Sequence, residues 1–106
     1  MATIRARVPK LARQGEIVQV RTLILHPMET GFRRDEGGRP IPRRIINAFI
    51  CRYNGEVVFR AELFPAVSAD PFLAFSFRAE KSGDVELLWK DDNGETYTET
   101  QRIEVT

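Results

Sequence analysis

Few side chains in this sequence have the types needed for catalysis, and they do not form a known catalytic pattern. The single histidine, His26, stands directly before a proline, and no serine lies in the sequence context of a nucleophile elbow. A proline holds the residue before it in an extended conformation. We therefore expect His26 to order the local chain by hydrogen bonding and not to act as a catalytic base.

The single cysteine, Cys51, admits two interpretations. A thiolate beside positive charge can carry a group covalently, and Arg52 follows Cys51 directly. Neighbouring strand residues point to opposite faces, however, and Cys51 shares its face with Phe49 and Tyr53, which favours a buried apolar role. A blue-copper site needs two histidines beside the cysteine, and this chain has one. No metal or other cofactor is predicted.

The only adjacent carboxylates that invite an acid–base interpretation are Asp91 and Asp92. They precede Asn93-Gly94, a turn sequence in which aspartate is favoured for local hydrogen bonding. No glycine-rich phosphate loop opens a helix. The sequence therefore predicts a protein that is not an enzyme.

Anion recognition is the chemistry that remains, because five arginines lie between residues 26 and 44. They are Arg33, Arg34, Arg39, Arg43 and Arg44. Guanidinium groups bind oxyanions and carboxylates with paired hydrogen bonds. Glu29, Asp35 and Glu36 lie among these arginines and can neutralise them, so a solvated surface and recognition of an acidic partner both stay open.

The stretch that holds these arginines has the composition of a long loop. Three prolines and three glycines within residues 26–43 exclude a regular helix or a central strand. A loop of about 18 residues is longer than most connections and is usually functional or disordered. It is either a crossover between two sheets with apolar side chains tucked beneath it, or a recognition loop. The candidate partner-binding residues are His26, Met28, Phe32, Arg33, Arg34, Ile41 and Arg43.

The rest of the chain predicts strands and short turns. Alternating apolar residues indicate strands over residues 3–8, 16–25, 44–53, 56–63, 72–79, 85–90 and 96–105, with a turn at 12–15. Asn54-Gly55 predicts a type I′ hairpin, followed by a strand with Val57 and Phe59 inward. Trp89 is expected in the core, with an acceptor for its indole N–H. These elements predict one all-β domain over residues 1–106, an immunoglobulin-like antiparallel β-sandwich of about seven strands.

The amino-acid composition excludes some classes of binding partner. The 106 residues carry 16 basic and 15 acidic side chains, a net charge of +1, which argues against nucleic acid as the main partner. No run approaches the roughly 20 apolar residues that cross a bilayer, and the first residues lack the apolar segment of a signal peptide, which alone favours the cytoplasm. Strands 16–25 and 44–53 are apolar on both faces. Such surface predicts a binding subunit.

Several motifs resemble the SoxZ family across essentially the whole chain. They are residues 21–31, which end in His-Pro-Met-Glu-Thr-Gly, then Ile41-Pro42-Arg43, Tyr53-Asn54-Gly55, Val58-Phe59 and residues 89–94. The resemblance implies a non-enzymatic, immunoglobulin-like subunit that pairs with SoxY as a heterodimer. SoxY carries sulfur intermediates on a C-terminal cysteine arm and presents them in turn to SoxAX, SoxB and SoxCD in thiosulfate oxidation.

The resemblance also implies a periplasmic location, reached by export together with the partner. Two other functions stay open at this point: a thiol-active sulfur-binding protein that uses Cys51, and a generic β-sandwich binding module that uses the arginine loop.

Overall fold

Alternation of buried and exposed side chains produces eight strands in the structure of this protein, a computed structural model that describes residues 2–26, 28–64 and 71–106. The strands are β1 (Thr3–Arg7), β2 (Leu11–Ala12), β3 (Ile17–Leu25), β4 (Ile46–Tyr53), β5 (Glu56–Glu62), β6 (Phe72–Arg78), β7 (Gly83–Asp91) and β8 (Thr96–Val105). No helix occurs in these ranges, and so none there is able to cross a membrane.

The strands form two sheets. One has three strands in the order β1-β3-β6, and the other has five in the order β2-β8-β7-β4-β5. All pairings are antiparallel except that of β2 with β8. The predicted all-β sandwich is confirmed. The additional strand is β2, a two-residue edge strand formed where the sequence suggested the start of a turn.

Aromatic rings fill the space between the sheets. Phe49 contacts the rings of Phe59, Phe75 and Trp89, with centroids 5.0–6.0 Å apart. Trp89 is fully buried, as predicted. Its indole Nε1 has no hydrogen-bond partner among the described residues, so the expected acceptor is not found there.

The hairpin between β4 and β5 begins as predicted and then departs from the simple alternation. Asn54 and Gly55 both have positive φ, 51° and 85°, as a type I′ turn requires. Val57 was predicted to point inward, and this is wrong, because its side chain is 46% exposed. A β-bulge causes the change: the pairing register shifts after Cys51, so that Val58, and not Val57, packs against the core.

Tyr53 fixes the connection between β6 and β7. Its hydroxyl accepts hydrogen bonds from the backbone N–H groups of Glu80 and Lys81, at 3.1 and 2.9 Å, and donates to the carbonyl of Lys81. The end of β4 is therefore tied to a turn that leads from one sheet into the other.

Candidate functional site

Residues 28–44 form a narrow two-stranded arm between β3 of one sheet and β4 of the other. Glu29 and Arg44 exchange two backbone hydrogen bonds of 2.7 Å each. Further along, Ile41 N–H donates to the carbonyl of Arg33 at 2.9 Å. The predicted long loop is therefore a hairpin-like projection, in which backbone groups satisfy one another without a core beneath most of its length.

The tip of the arm is closed by Asp35. Its backbone N–H donates to the carbonyl of Arg39 at 2.9 Å. Its carboxylate Oδ1 accepts from the N–H groups of Gly37 and Arg39, each at 2.9 Å. The side chain thus imitates backbone turn hydrogen bonds, and it does not pair with an arginine.

Asp92 anchors the base of the arm on the side of β4. Its two carboxylate oxygens accept from Nε and a terminal nitrogen of Arg43, both at 2.8 Å, from Asn47 Nδ2 at 2.9 Å and from Ile45 N–H at 3.1 Å. Burial alone would raise the pKa of Asp92, but the donors from Arg43, Asn47 and Ile45 outweigh burial and lower it.

A second, more deeply buried network anchors the base on the side of β3. His26 Nε2 lies 3.1 Å from the hydroxyl of Tyr97 and 3.3 Å from Asp91 Oδ2. The Tyr97 hydroxyl lies 3.0 Å from both Asp91 Oδ2 and Glu95 Oε2, so it can donate to either carboxylate. Asp91 Oδ1 accepts from the N–H groups of Asn93 and Glu95.

The ionisation states in this network follow from its hydrogen bonds. Burial would raise the pKa of Asp91, but donors from Glu95, Tyr97, Asn93 and His26 lower it overall. Burial and the neighbouring carboxylates of Glu95 and Asp91 raise the pKa of Tyr97 to about 12. The network therefore holds a carboxylate against a protonated tyrosine.

The outer part of the arm is exposed. Phe32 has 84% of its surface in solvent. Arg33 pairs with Glu29 at 2.8 Å, and Arg34 donates to the carbonyl of Gly38 at 2.9 Å. An exposed aromatic ring is thus followed in the sequence by two arginines whose guanidinium groups are held along the arm.

The seven candidate partner-binding residues divide between base and arm. His26, Met28 and Arg43 lie at the anchored base, and Phe32, Arg33, Arg34 and Ile41 lie further out. Met28 packs against the core, Ile41 is half-buried and Phe32 is not tucked beneath anything. The hydrogen-bonding role expected for His26 at the start of the loop is present.

Comparison with models of protein families shows the family to which this chain belongs. The family model described as "Sulphur oxidation protein SoxZ" matches residues 4–102. This chain belongs to the SoxZ family. Membership places it in the Sox system of sulfur oxidation. No protein of curated function matches the chain.

Solved structures share the fold of this SoxZ-family chain at low sequence identity. A superoxide reductase (neelaredoxin) from Ignicoccus hospitalis aligns with a TM-score of 0.70 and 15% identity, over 98% of this chain and 80% of that one. A putative superoxide reductase from Thermotoga maritima gives 0.69 and 17%, over 97% and 85%. A CARDB domain from Pyrococcus furiosus, in complex with di-metal ions, gives 0.55 and 12%, over 100% and 88%. These similarities show a common fold only.

One of these structures, that of the CARDB domain, holds metal ions. In residues 2–26, 28–64 and 71–106, no group of three His, Cys, Asp or Glu side chains is placed to hold a metal ion. His26 is engaged with Tyr97 and Asp91, whereas Cys51 lies between Phe59 and Leu87 in the sheet.

Cys51 is fully buried in the core of this SoxZ-family protein. Burial, with a smaller contribution from Glu86, raises the pKa of the thiol to about 12. A thiol in such surroundings stays protonated at neutral pH and is a poor nucleophile. The position agrees with the apolar role that its strand neighbours favoured.

Asp91, Asp92 and Tyr97 are the functional residues that sequence reasoning missed as anchors of the arm. The two aspartates were read as local turn residues, and Asp91 does make local turn bonds. Their partners at the arm base lie 45 or more residues earlier in the chain. No spacing rule connects such distant positions, and only the two-sheet topology brings them together.

Proposed function

We propose that this chain is the non-catalytic subunit of a SoxYZ sulfur carrier complex. In this proposal it pairs with SoxY, whose C-terminal cysteine bears the sulfur intermediates, and it helps to present that cysteine to Sox enzymes. The observation that carries the proposal is the arm: its base is fixed to the sandwich by the buried carboxylate of Asp91 and the half-buried carboxylate of Asp92, and its outer part offers the exposed Phe32 next to Arg33 and Arg34 in the sequence.

The burial and protonation of the Cys51 thiol support the proposal that SoxY, and not this chain, carries the sulfur. Covalent transfer of sulfur needs an accessible thiolate. Cys51 is the one cysteine of the chain, and it is buried and protonated. A sulfur-oxidation protein built in this way needs another subunit to hold the intermediate.

The arm suits brief docking of an enzyme. Aromatic and arginine side chains dominate binding hot spots, because they bury large surfaces with few internal rotations. A preorganised arm also loses little conformational entropy on binding, since its backbone hydrogen bonds and its anchored base already hold its shape. We infer that SoxAX, SoxB or SoxCD contacts the arm while the carrier cysteine is presented.

The periplasm is the location that follows from this function. Pairing with SoxY provides the route, because a folded pair exported together needs one signal only. We place the complex there as part of the proposal.

The decisive experiment is native mass spectrometry of this chain alone and with SoxY, both as wild type and as Cys51→Ser. We expect a one-to-one complex in which sulfur adducts appear only on the terminal cysteine of SoxY. The complex that contains the Cys51→Ser subunit should transfer sulfur at the wild-type rate. The subunit itself should be somewhat less stable, because a hydroxyl replaces a buried thiol.

The opposite result is equally clear. A chain that ignores SoxY and carries the adduct on Cys51 would identify a thiol-active protein. Cys51→Ala serves as the matched control, because it removes the thiol without introducing a buried hydroxyl, so that loss of transfer in both variants cannot be assigned to the hydroxyl.

A further inference from the structure

The outer face of the three-stranded sheet, which we call the arginine face, has an unusual composition. Strict alternation in β1, β3 and β6 turns every second side chain outward. The outward residues are Thr3, Arg5, Arg7, Ile17, Gln19, Arg21, Leu23, Leu25, Phe72, Ala74, Ser76 and Arg78. Four arginines are present and carboxylates are absent from this set.

The arginines of this face are not neutralised within the described ranges. No ion pair there involves Arg5, Arg7, Arg21 or Arg78. Arg21 donates to the neutral side chain of Gln19, and Arg78 donates to the carbonyl of Gly15. Arg7 and Arg21 are direct cross-strand partners, an arrangement in which like charges repel. The sheet therefore bears a repulsion that a negative partner would relieve.

Apolar side chains adjoin these charges. Leu23 is paired with Arg5 on one side and with Phe72 on the other, and Phe72 is 60% exposed. A shallow cleft of about 210 Å³ is lined by Arg5, Arg7, Arg21 and Phe72. Arginine beside an exposed aromatic ring is the composition of protein interfaces, whereas a free anion in so open a cleft would gain little from exposed charges.

The outer face of the five-stranded sheet differs, because it carries charges of both signs, some of which pair with one another. Arg52 pairs with Glu86 at 3.3 Å, and Arg102 pairs with Glu104 at 2.7 Å. Charges of both signs that already find each other are typical of a surface in contact with water. Of the two outer faces, only the arginine face combines several arginines with no carboxylate among its outward residues.

We propose that the arginine face is the surface that binds SoxY, and that SoxY meets it with carboxylates arranged around an apolar contact for Phe72. This inference rests on the proposed function and adds to it the surface and the charge of the partner. The arm then stays free for enzymes, while the sheet face holds the permanent partner.

The test compares two double charge reversals in the assembled complex. Arg7→Glu with Arg21→Glu changes the arginine face, and Arg60→Glu with Lys90→Glu reverses the same number of charges on the opposite sheet. Affinity for SoxY is measured by calorimetry at about 50 mM and about 300 mM salt, where screening differs strongly. We expect the first variant to lose affinity by about tenfold or more and the second to stay within about threefold.

A second variant separates packing from charge. Phe72→Ala removes an exposed ring, so the free subunit should fold normally, as circular dichroism will check, and affinity for SoxY should fall about tenfold. The wild-type complex should weaken with salt, and the Arg7→Glu, Arg21→Glu complex should lose that dependence.

Other results would contradict either the proposed function or the proposed SoxY-binding surface. If the wild-type chain and SoxY do not associate, both the proposed function and this inference fail. If they associate but the arginine-face variants bind SoxY as tightly as the control, the inference alone is wrong. Loss of enzyme docking with SoxY affinity unchanged would also reject it, and would assign the face to a transient partner.

Discussion

Asp91 and Asp92 anchor the base of the arm at two different points, because they lie where β7 ends and their side chains point in different directions. Asp91 turns into the core toward His26 and Tyr97, whereas Asp92 reaches Arg43, Ile45 and Asn47 at the start of β4. Each carboxylate accepts several hydrogen bonds, and charged acceptors make the stronger bonds.

These two carboxylates make stability depend on pH. The pKa of each is lower in the folded chain than in the unfolded chain, so the folded state favours the charged form. Their contribution is therefore complete above the ordinary aspartate pKa of about 4 and is lost as the pH falls through the lower folded values. We expect urea unfolding midpoints to fall steeply below about pH 4.

Asp92→Ala should remove part of this dependence. It deletes the acceptor of Arg43, Asn47 and the buried N–H of Ile45, so we expect a loss of about 2–3 kcal/mol at neutral pH. The loss should shrink in acid, because the wild type has then lost the same charge. A variant whose destabilisation is equal at neutral and acidic pH would show that the carboxylate acts through its shape alone.

At the scale of elements, the arm is stable because its base is fixed, while its own ladder is short. Isolated two-stranded hairpins are marginal in water, and only three or more strands or a covering layer stabilise them independently. The backbone bonds between Glu29 and Arg44 stand next to the Arg43–Asp92 contact. Loosening that contact should therefore open the arm before it affects the sandwich.

We expect Arg43→Ala to raise amide exchange at Glu29 and Arg44 about fivefold to tenfold, as loss of about 1 kcal/mol of local stability implies. Core amides, such as those of β7, should exchange as in the wild type. Arg44→Ala is the matched control, because that neighbouring side chain is exposed and makes no hydrogen bond in the described part of the chain. If both substitutions raise amide exchange equally, the Arg43–Asp92 contact does not hold the arm closed.

The strands could be predicted because local rules determine them. β3 and β7 alternate cleanly, and Asn54-Gly55 fits only a tight turn. The bulge that turns Val57 outward could not be predicted from the sequence, because one extra residue in a strand changes which side chains face inward without changing the residue types. The strand at Leu11–Ala12 was missed because two residues carry no periodic pattern.

The candidate site was predictable in part. Proline and glycine content located the segment, and its exposed Phe32 and arginines are plain in the sequence. Its hairpin pairing was not foreseen, because ladder bonds form between backbone groups whatever the side chains are. The anchors at Asp91 and Asp92 were hidden because their partners at the arm base lie 45 or more residues earlier in the chain.

At the scale of the whole molecule, the arm accounts for an elongated shape. The Cα radius of gyration is 16.2 Å, against about 13 Å for a compact domain of this length. The principal extents are 60 × 20 × 19 Å. The strands of the sandwich account for only about half of the longest dimension at about 3.3 Å a residue. The projection therefore separates the tip, which we propose docks enzymes, from the arginine face, which we propose binds SoxY.

Shortening the arm tests this separation. Replacing residues 34–40 by Asn-Gly joins Arg33 to Ile41 through a tight turn, which their backbone hydrogen bond already permits. Combined with Phe32→Ala, the change should reduce the maximum dimension in X-ray scattering by about 8 Å and leave the thermal unfolding of the sandwich nearly unchanged.

The shortened chain should bind SoxY as the full chain does, because the arginine face is intact, while turnover of the carrier by Sox enzymes should fall about tenfold. The matched control keeps the full arm and changes only Arg60→Ala on the five-stranded sheet. Loss of SoxY binding would place the arm inside the permanent interface. Undiminished turnover would mean that enzymes approach the carrier cysteine without touching the arm, and that its exposed ring and arginines serve another partner.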